Sequence, residues 1–224
     1  MNKEWSELNK VMQVQLKKEE TFKEGIKTLF ELRQQLFHEV ERFKAELSRE
    51  EWNAIPFINE DGYHSKTIAY SIWHIFRIED IVAHTLINQD GQIFFFGDYQ
   101  NKIGAALITT GNELIKQQIA DFSETLNLDA LFEYAKSVKD STEDILRNLS
   151  FKDLKRKITD TEKEHLKSLS VVSEDEKACW LIDYWCKKDV RGLIQMPFSR
   201  HWIMHIEASL RIKNKIKKDF NHDT

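Results

Sequence analysis

The chain has 224 residues, with 33 Lys and Arg against 37 Asp and Glu. The formal net charge of −4 argues against a nucleic-acid surface, because phosphate binding calls for a basic face. Seven glycines and two prolines are too few for a sandwich or barrel, which turns roughly every eight to twelve residues, so the fold is read as all-α.

From Phe22 the apolar residues Ile26, Leu29, Phe30, Leu32, Leu36, Phe37, Val40, Phe43 and Leu47 recur at threes and fours. That period predicts one long helix, or two abutting ones, over 4–48. NEDGYHS (59–65) is a loop that turns at Asp61-Gly62. A second helix runs from about Ser65 to Asn88 and is stopped by QDGQ (89–92). IFFF (93–96) then forms either a short extended segment capping one end of the fold or part of a pocket wall. A third helix is expected over roughly 100–119, loosened by Gly104 and Gly111. Asp129 offers an N-cap for a long helix that ends near Leu149. The polar stretch 150–172 reads as irregular or weakly helical, and 174–188 as helical again. Gly192 and Pro197 punctuate the chain before a last helix from Phe198 or Ser199 to Phe220. In domain terms, 1–21 is a helical extension and 22–220 a helical bundle domain, enlarged over about 155–197.

No run of about 18 apolar residues predicts a membrane span. MNKEWSELNKVMQ lacks the apolar stretch of a secretory signal, and Cys179 and Cys186 form no CxxC, so a reduced, cytoplasmic protein is expected. The basic run KNKIKK (213–218) suits the last turns of a helix better than a DNA contact.

There is no Gly-rich phosphate loop, no HExxH and no GxSxG. Glu162 and His165 make a single Glu-x-x-His, read as a solvated face, where a di-iron bundle needs two. FSRHWIMHIEASLRI (198–212) holds His201 and His205 four apart. That spacing puts both on one helix face, which continues through Ala208 and Ile212 and can bite one metal ion. Two ligands rarely suffice, and the best third is His74, which sits among Ile72, Trp73, Ile75 and Phe76. The other reading of His74 is a core histidine bonded to a backbone carbonyl, with the HxxxH pair likewise in the core. His84 is placed nearly opposite His74 on its helix, His64 at a helix start, His38 among charges and His222 in the tail.

Three segments together resemble the DinB family, also called DinB/YfiT-like metalloenzymes. They are SIWHIFRIEDIVAH (71–84), LDALFEYAKSVKDSTEDILRNLSFKDL (128–154) and SRHWIMHIEASLRI (199–212). The likeness covers roughly 22–216, and the stretches 1–20 and 155–197 depart from the compact family pattern. It implies a four-helix bundle with one histidine from the second helix and two from the fourth. On this chain those are His74, His201 and His205. It also implies a divalent ion, zinc or nickel, a homodimer, and in several relatives transfer to a small thiol co-substrate.

The function expected is therefore a metal-dependent thiol S-transferase, or a hydrolase using the same site, acting on a small molecule without nucleic acid or membrane. The alternative is a non-catalytic bundle, a binding module whose metal is structural or absent. It is told apart by whether a polar group such as His165 or Glu174 closes the site. Arg77, one turn beyond His74, is a candidate to hold an anionic group, or it pairs with a carboxylate such as Glu79 or Asp80. Trp73, Phe76 and Trp202 are read as core.

Overall fold

The computed structural model describes residues 2–220. His222 lies outside them. Within them every regular element is helical, and an isolated antiparallel bridge joins Lys157 to Asp189. In chain order the helices are α1 (Lys3–Gln15), α2 (Phe22–Glu46), α3 (Arg49–Asn53), α4 (Ile68–Asp80), α5 (Ile93–Phe96) and α6 (Tyr99–Ile103). They are followed by α7 (Gln117–Thr125), α8 (Leu128–Asn148), α9 (Asp160–Ser168), α10 (Trp180–Cys186), α11 (Val190–Gln195) and α12 (His201–Phe220). Two wider π-helical stretches extend this set: 81–88 continues α4, and 196–200 leads into α12.

The long helices pack in a ring: α4 lies against α8 and α12, and α2 against the same two. The expected helix over 4–48 is two helices, because the chain breaks at 16–21 and α1 folds back along α2. Gly25 permits the close approach, since a Cβ there would meet Leu16 Cδ2 at 2.9 Å. The expected third helix over 100–119 does not form. Gly104 at φ +72° ends α6, residues 104–116 are irregular, and α7 starts at Gln117. Asn127, not Asp129, caps α8 and accepts from the Asp129 and Ala130 amides. IFFF is a short helix rather than a strand, held where Asp80 accepts the amides of Ile93 and Phe94.

The stretch 155–197 is more ordered than its polarity implies. Thr159 and Glu162 form a reciprocal capping box that starts α9. Helix α10 is shorter than the expected 174–188. Leu166, Leu181, Trp185, Leu193 and Ile194 from this stretch are buried with Ile78, Ile81 and Leu146. Each such side chain contributes roughly 1.5–3 kcal/mol over its exposed state, so the stretch is fastened to the long helices along its length.

A second core surrounds Phe37, Trp73, Phe76, Tyr134 and Trp202, all buried as expected of the three named above. Between the two cores lies a buried ionic hub. Arg33 of α2 forks onto Glu79 of α4 at 2.9 and 2.7 Å and reaches Glu143 of α8 at 3.2 Å. Its remaining donors meet the Phe198 and Lys139 carbonyls, and Trp202 Nε1 donates to Glu79 at 2.8 Å. Burial drives the Glu79 carboxyl upward, and Arg33 pulls it back. The hub fixes how α4 and α12 meet. The basic run 213–218 is a paired surface: Lys213 and Lys217 reach Glu46, and Lys215 reaches Asp219. No described helix is long and apolar enough to cross a membrane.

Candidate metal centre

His74 stands in the middle of α4, five residues before the hub's Glu79. His201 opens α12 and His205 follows one turn later. Pro197 has no N–H to donate and cannot continue the regular ladder of α11. The chain passes it in the π-helical stretch 196–200, where Met196 takes φ −117° and ψ −71°. That wider turn sets the rotation at which α12 begins, and so the face that carries both histidines.

The three imidazoles meet. Ring centroids lie 5.1 Å apart for His74 and His201, 4.9 Å for His74 and His205, and 4.6 Å for His201 and His205. One ring nitrogen from each falls within 4.8 Å of the others, and all three residues are buried. Ligand nitrogens on one tetrahedral zinc sit about 3.3 Å apart, a spacing small ring rotations reach from here. His74 Nδ1 lies 2.6 Å from the Thr110 carbonyl and must donate to it. The donated proton fixes the tautomer and leaves Nε2 with a free lone pair, the usual arrangement behind a metal-bound histidine. His201 Nδ1 and His205 Nδ1 are buried with no hydrogen-bond partner. Such an orphaned group costs roughly 1–3 kcal/mol, so the cluster is incomplete as it stands.

Burial pushes the His74 imidazole down to about 4, against the pull of the Thr110 hydrogen bond. His201 and His205 are also held well below the ordinary histidine value, by burial first and then by their histidine neighbours. All three are neutral at pH 7 and can act as ligands.

The cluster opens onto a cavity of about 290 Å³. Its far wall comes from the enlarged stretch: Trp180, Leu181, Tyr184, Trp185, Met196 and Pro197. Tyr63 closes one side, its ring perpendicular to His205 at 4.9 Å, and Asn112 closes another. Neither His165 nor Glu174 lines this cavity.

Arg77 does not line it either. The guanidinium is fully buried, donates to the Ile108 carbonyl at 2.9 Å, lies 3.7 Å from Asp80 and covers the Phe94 ring at 4.5 Å. His84 has both ring nitrogens in use, at 2.7 Å from Asp90 and 3.1 Å from Ser141. His64 meets Glu60 at 2.7 Å, and His38 is exposed beside Glu41. Glu207 stands on the outer face, where the Asn2 amide donates to it. Cys179 and Cys186 are free thiols, and burial raises Cys186 to about 11.

Thr110, Asn112, Tyr63 and the Trp180–Met196 wall are site residues that sequence reasoning missed. The one available signal was Gly111. It sits at φ +73°, and a Cβ there would meet the Trp73 ring at 2.8 Å. Only glycine lets the loop come close enough for Thr110 to reach His74. No protein-family model matches the chain and no curated protein matches it, so the reading of the site rests on these residues alone.

Proposed function

We propose that the chain is a DinB-like metal-dependent enzyme, a four-helix bundle whose His74, His201 and His205 hold a divalent zinc or nickel ion beside a small-molecule cavity. The reaction proposed is S-transfer to a small thiol, in a cytoplasmic homodimer. The observation that carries it is the buried cluster of three neutral imidazoles with two orphaned nitrogens and an adjoining cavity. The ring packing of α2, α4, α8 and α12 supports the bundle reading.

A divalent ion with three neutral ligands supplies Lewis acidity at an open position, which lowers the pKa of a thiol or water bound there. The chain's own part is to orient and to exclude. The Thr110 carbonyl holds the His74 tautomer, and the Trp180–Met196 wall keeps bulk water from the histidines. No carboxylate lines the cavity to act as a general base. The same ion would also acidify a bound water, to a pKa of about 7, so hydrolysis uses the same ligand set, and the thiol assay tells the two apart. A closed, structural site would need a fourth protein ligand, and the lining residues offer no further histidine, cysteine or carboxylate.

The test is the metal content of protein purified without chelator or nickel resin, beside His74→Ala and His201→Ala. About one divalent ion per chain in the parent and none in either variant is the expected result. A parent that stays metal-free after zinc or nickel is added would overturn the reading. With metal bound, consumption of a small thiol by a neutral activated aryl halide then measures transfer.

A further inference from the structure

We infer that the cavity beside the three histidines takes a small, uncharged, aromatic substrate, selected by Trp180 and Tyr184 and held by an N–H donor from Asn112. This deepens the metal-enzyme reading and rests on it.

The lining residues include no Lys, Arg, Asp or Glu. A divalent ion on the histidines would attract an anionic head, but a charge carried on the ring itself would lie against uncharged walls and shed its water without a partner, which favours a neutral ring. Lys188 lies over the Tyr184 ring, and other charged side chains line a separate open groove beyond Tyr63, among them Glu207, Arg211, Lys215 and Lys218. Tyr63 is the residue that borders both spaces, so its ring divides the charged approach from the apolar chamber.

What the chamber offers instead is π surface. Trp180 and Tyr184 meet edge to face at 5.6 Å. The Trp180 indole N–H already donates to the Lys177 carbonyl at 2.8 Å, so the indole contributes only its apolar faces and edge. Lys188 covers the Tyr184 ring at 4.2 Å, which occupies one side of it. Trp180 remains 49% exposed although it is one of the largest apolar side chains in the molecule. A half-bare indole at the mouth of an apolar chamber is what a ring-shaped ligand would cover.

The polar handle is specific. Thr110 Oγ1 donates to Asn112 Oδ1 at 2.8 Å, which anchors the amide and leaves its N–H donors unengaged. Such a donor suits an ether, nitro or carbonyl oxygen on a neutral ring. Size agrees. A volume of about 290 Å³ has room for about ten groups of water size, at ~30 Å³ each, which is one substituted ring.

Three hydroxamates that share a metal-binding head separate the chamber from the metal. Zinc-loaded full-length protein is titrated calorimetrically with acetohydroxamate, benzohydroxamate and a carboxylated benzohydroxamate. The expected result is benzohydroxamate binding about tenfold or more tighter than acetohydroxamate, with the carboxylated ring giving no such gain. In Trp180→Ala and Tyr184→Ser the gap shrinks to about threefold or less while acetohydroxamate binds as before, which also certifies that each variant is folded. Equal affinity for the three probes, or a ring preference unchanged in both variants, overturns the substrate class and leaves the metal reading standing. A protein that holds no zinc and binds none of the probes overturns both.

Discussion

Two buried polar clusters share α4 and α12 and are built to opposite ends. In the hub, Arg33, Glu79, Glu143 and Trp202 answer one another, and backbone carbonyls of Phe198 and Lys139 take up the remaining guanidinium donors. A few ångströms along the same helices, His74 finds one backbone partner, and His201 and His205 each keep a buried nitrogen with none. The residues of both clusters are buried. The difference is that one is closed by the fold and the other is left for something the fold does not supply. Burial alone therefore does not set the histidines apart, and nor does an unanswered atom, since Arg77 Nη1 and Nη2 are also buried without a hydrogen-bond partner; the convergence of three imidazoles beside a cavity does.

Removing one partner from the closed cluster should do the most damage. Arg33→Met leaves Glu79 buried without its charge partner and should lower unfolding free energy by about 3–5 kcal/mol in urea melts. A loss under about 1 kcal/mol would mean that the hub is better hydrated than its burial implies.

Acid should separate the clusters next. Unfolded histidine titrates near 6.5, whereas folded His74 resists protonation down to about 4. Between those values the unfolded chain binds the proton that the fold refuses, so stability falls as pH drops and is unaffected by this group above 6.5. The His74 share is on the order of 3 kcal/mol by pH 4, read as the difference in slope between metal-free parent and His74→Phe. Identical slopes would show that the cluster is not held neutral.

Gly111→Ala should come third. The added methyl meets the Trp73 ring and moves the loop that carries the Thr110 carbonyl. Zinc affinity should drop about tenfold, as is typical when a ligand's outer partner is disturbed, with roughly 1–3 kcal/mol of destabilisation. Unchanged affinity would detach Thr110 from the site.

The smallest effect is expected at the open cluster itself. His205→Leu removes an unsatisfied nitrogen along with the ring, so the metal-free protein should stay within about 1 kcal/mol of the parent. A loss beyond about 3 kcal/mol would mean that His205 is ordinary core packing.

The contrast also explains what could be read from the chain. His74, His201 and His205 were legible because helical spacing converts directly into a shared face, and because a histidine among Ile72, Trp73, Ile75 and Phe76 has to find a partner. Thr110 was not, since it acts through a backbone carbonyl that every residue type carries. Tyr63 was not, because it comes from a loop, and Trp180 was not, because a helical period tells which residues share a face and not which distant helix that face meets. Thr159 and Glu162 did carry a capping-box signature, and it was hidden by the polarity around it. The expected helix over 100–119 failed at Gly104, where the backbone turns left-handed.

The wall contributed by residues 180–197 has a consequence for redesign. Helices α4 and α12 carry all three histidines and, with α2 and α8, the hub, whereas Trp180 and Tyr184 belong to a short helix on the far wall of the cavity and share no hydrogen bond with the hub. The cavity's far wall and the scaffold thus sit on different pieces of chain. A library randomised at Trp180 and Tyr184 would explore new chambers over an unchanged centre, the way a die is exchanged in a press whose frame stays bolted down.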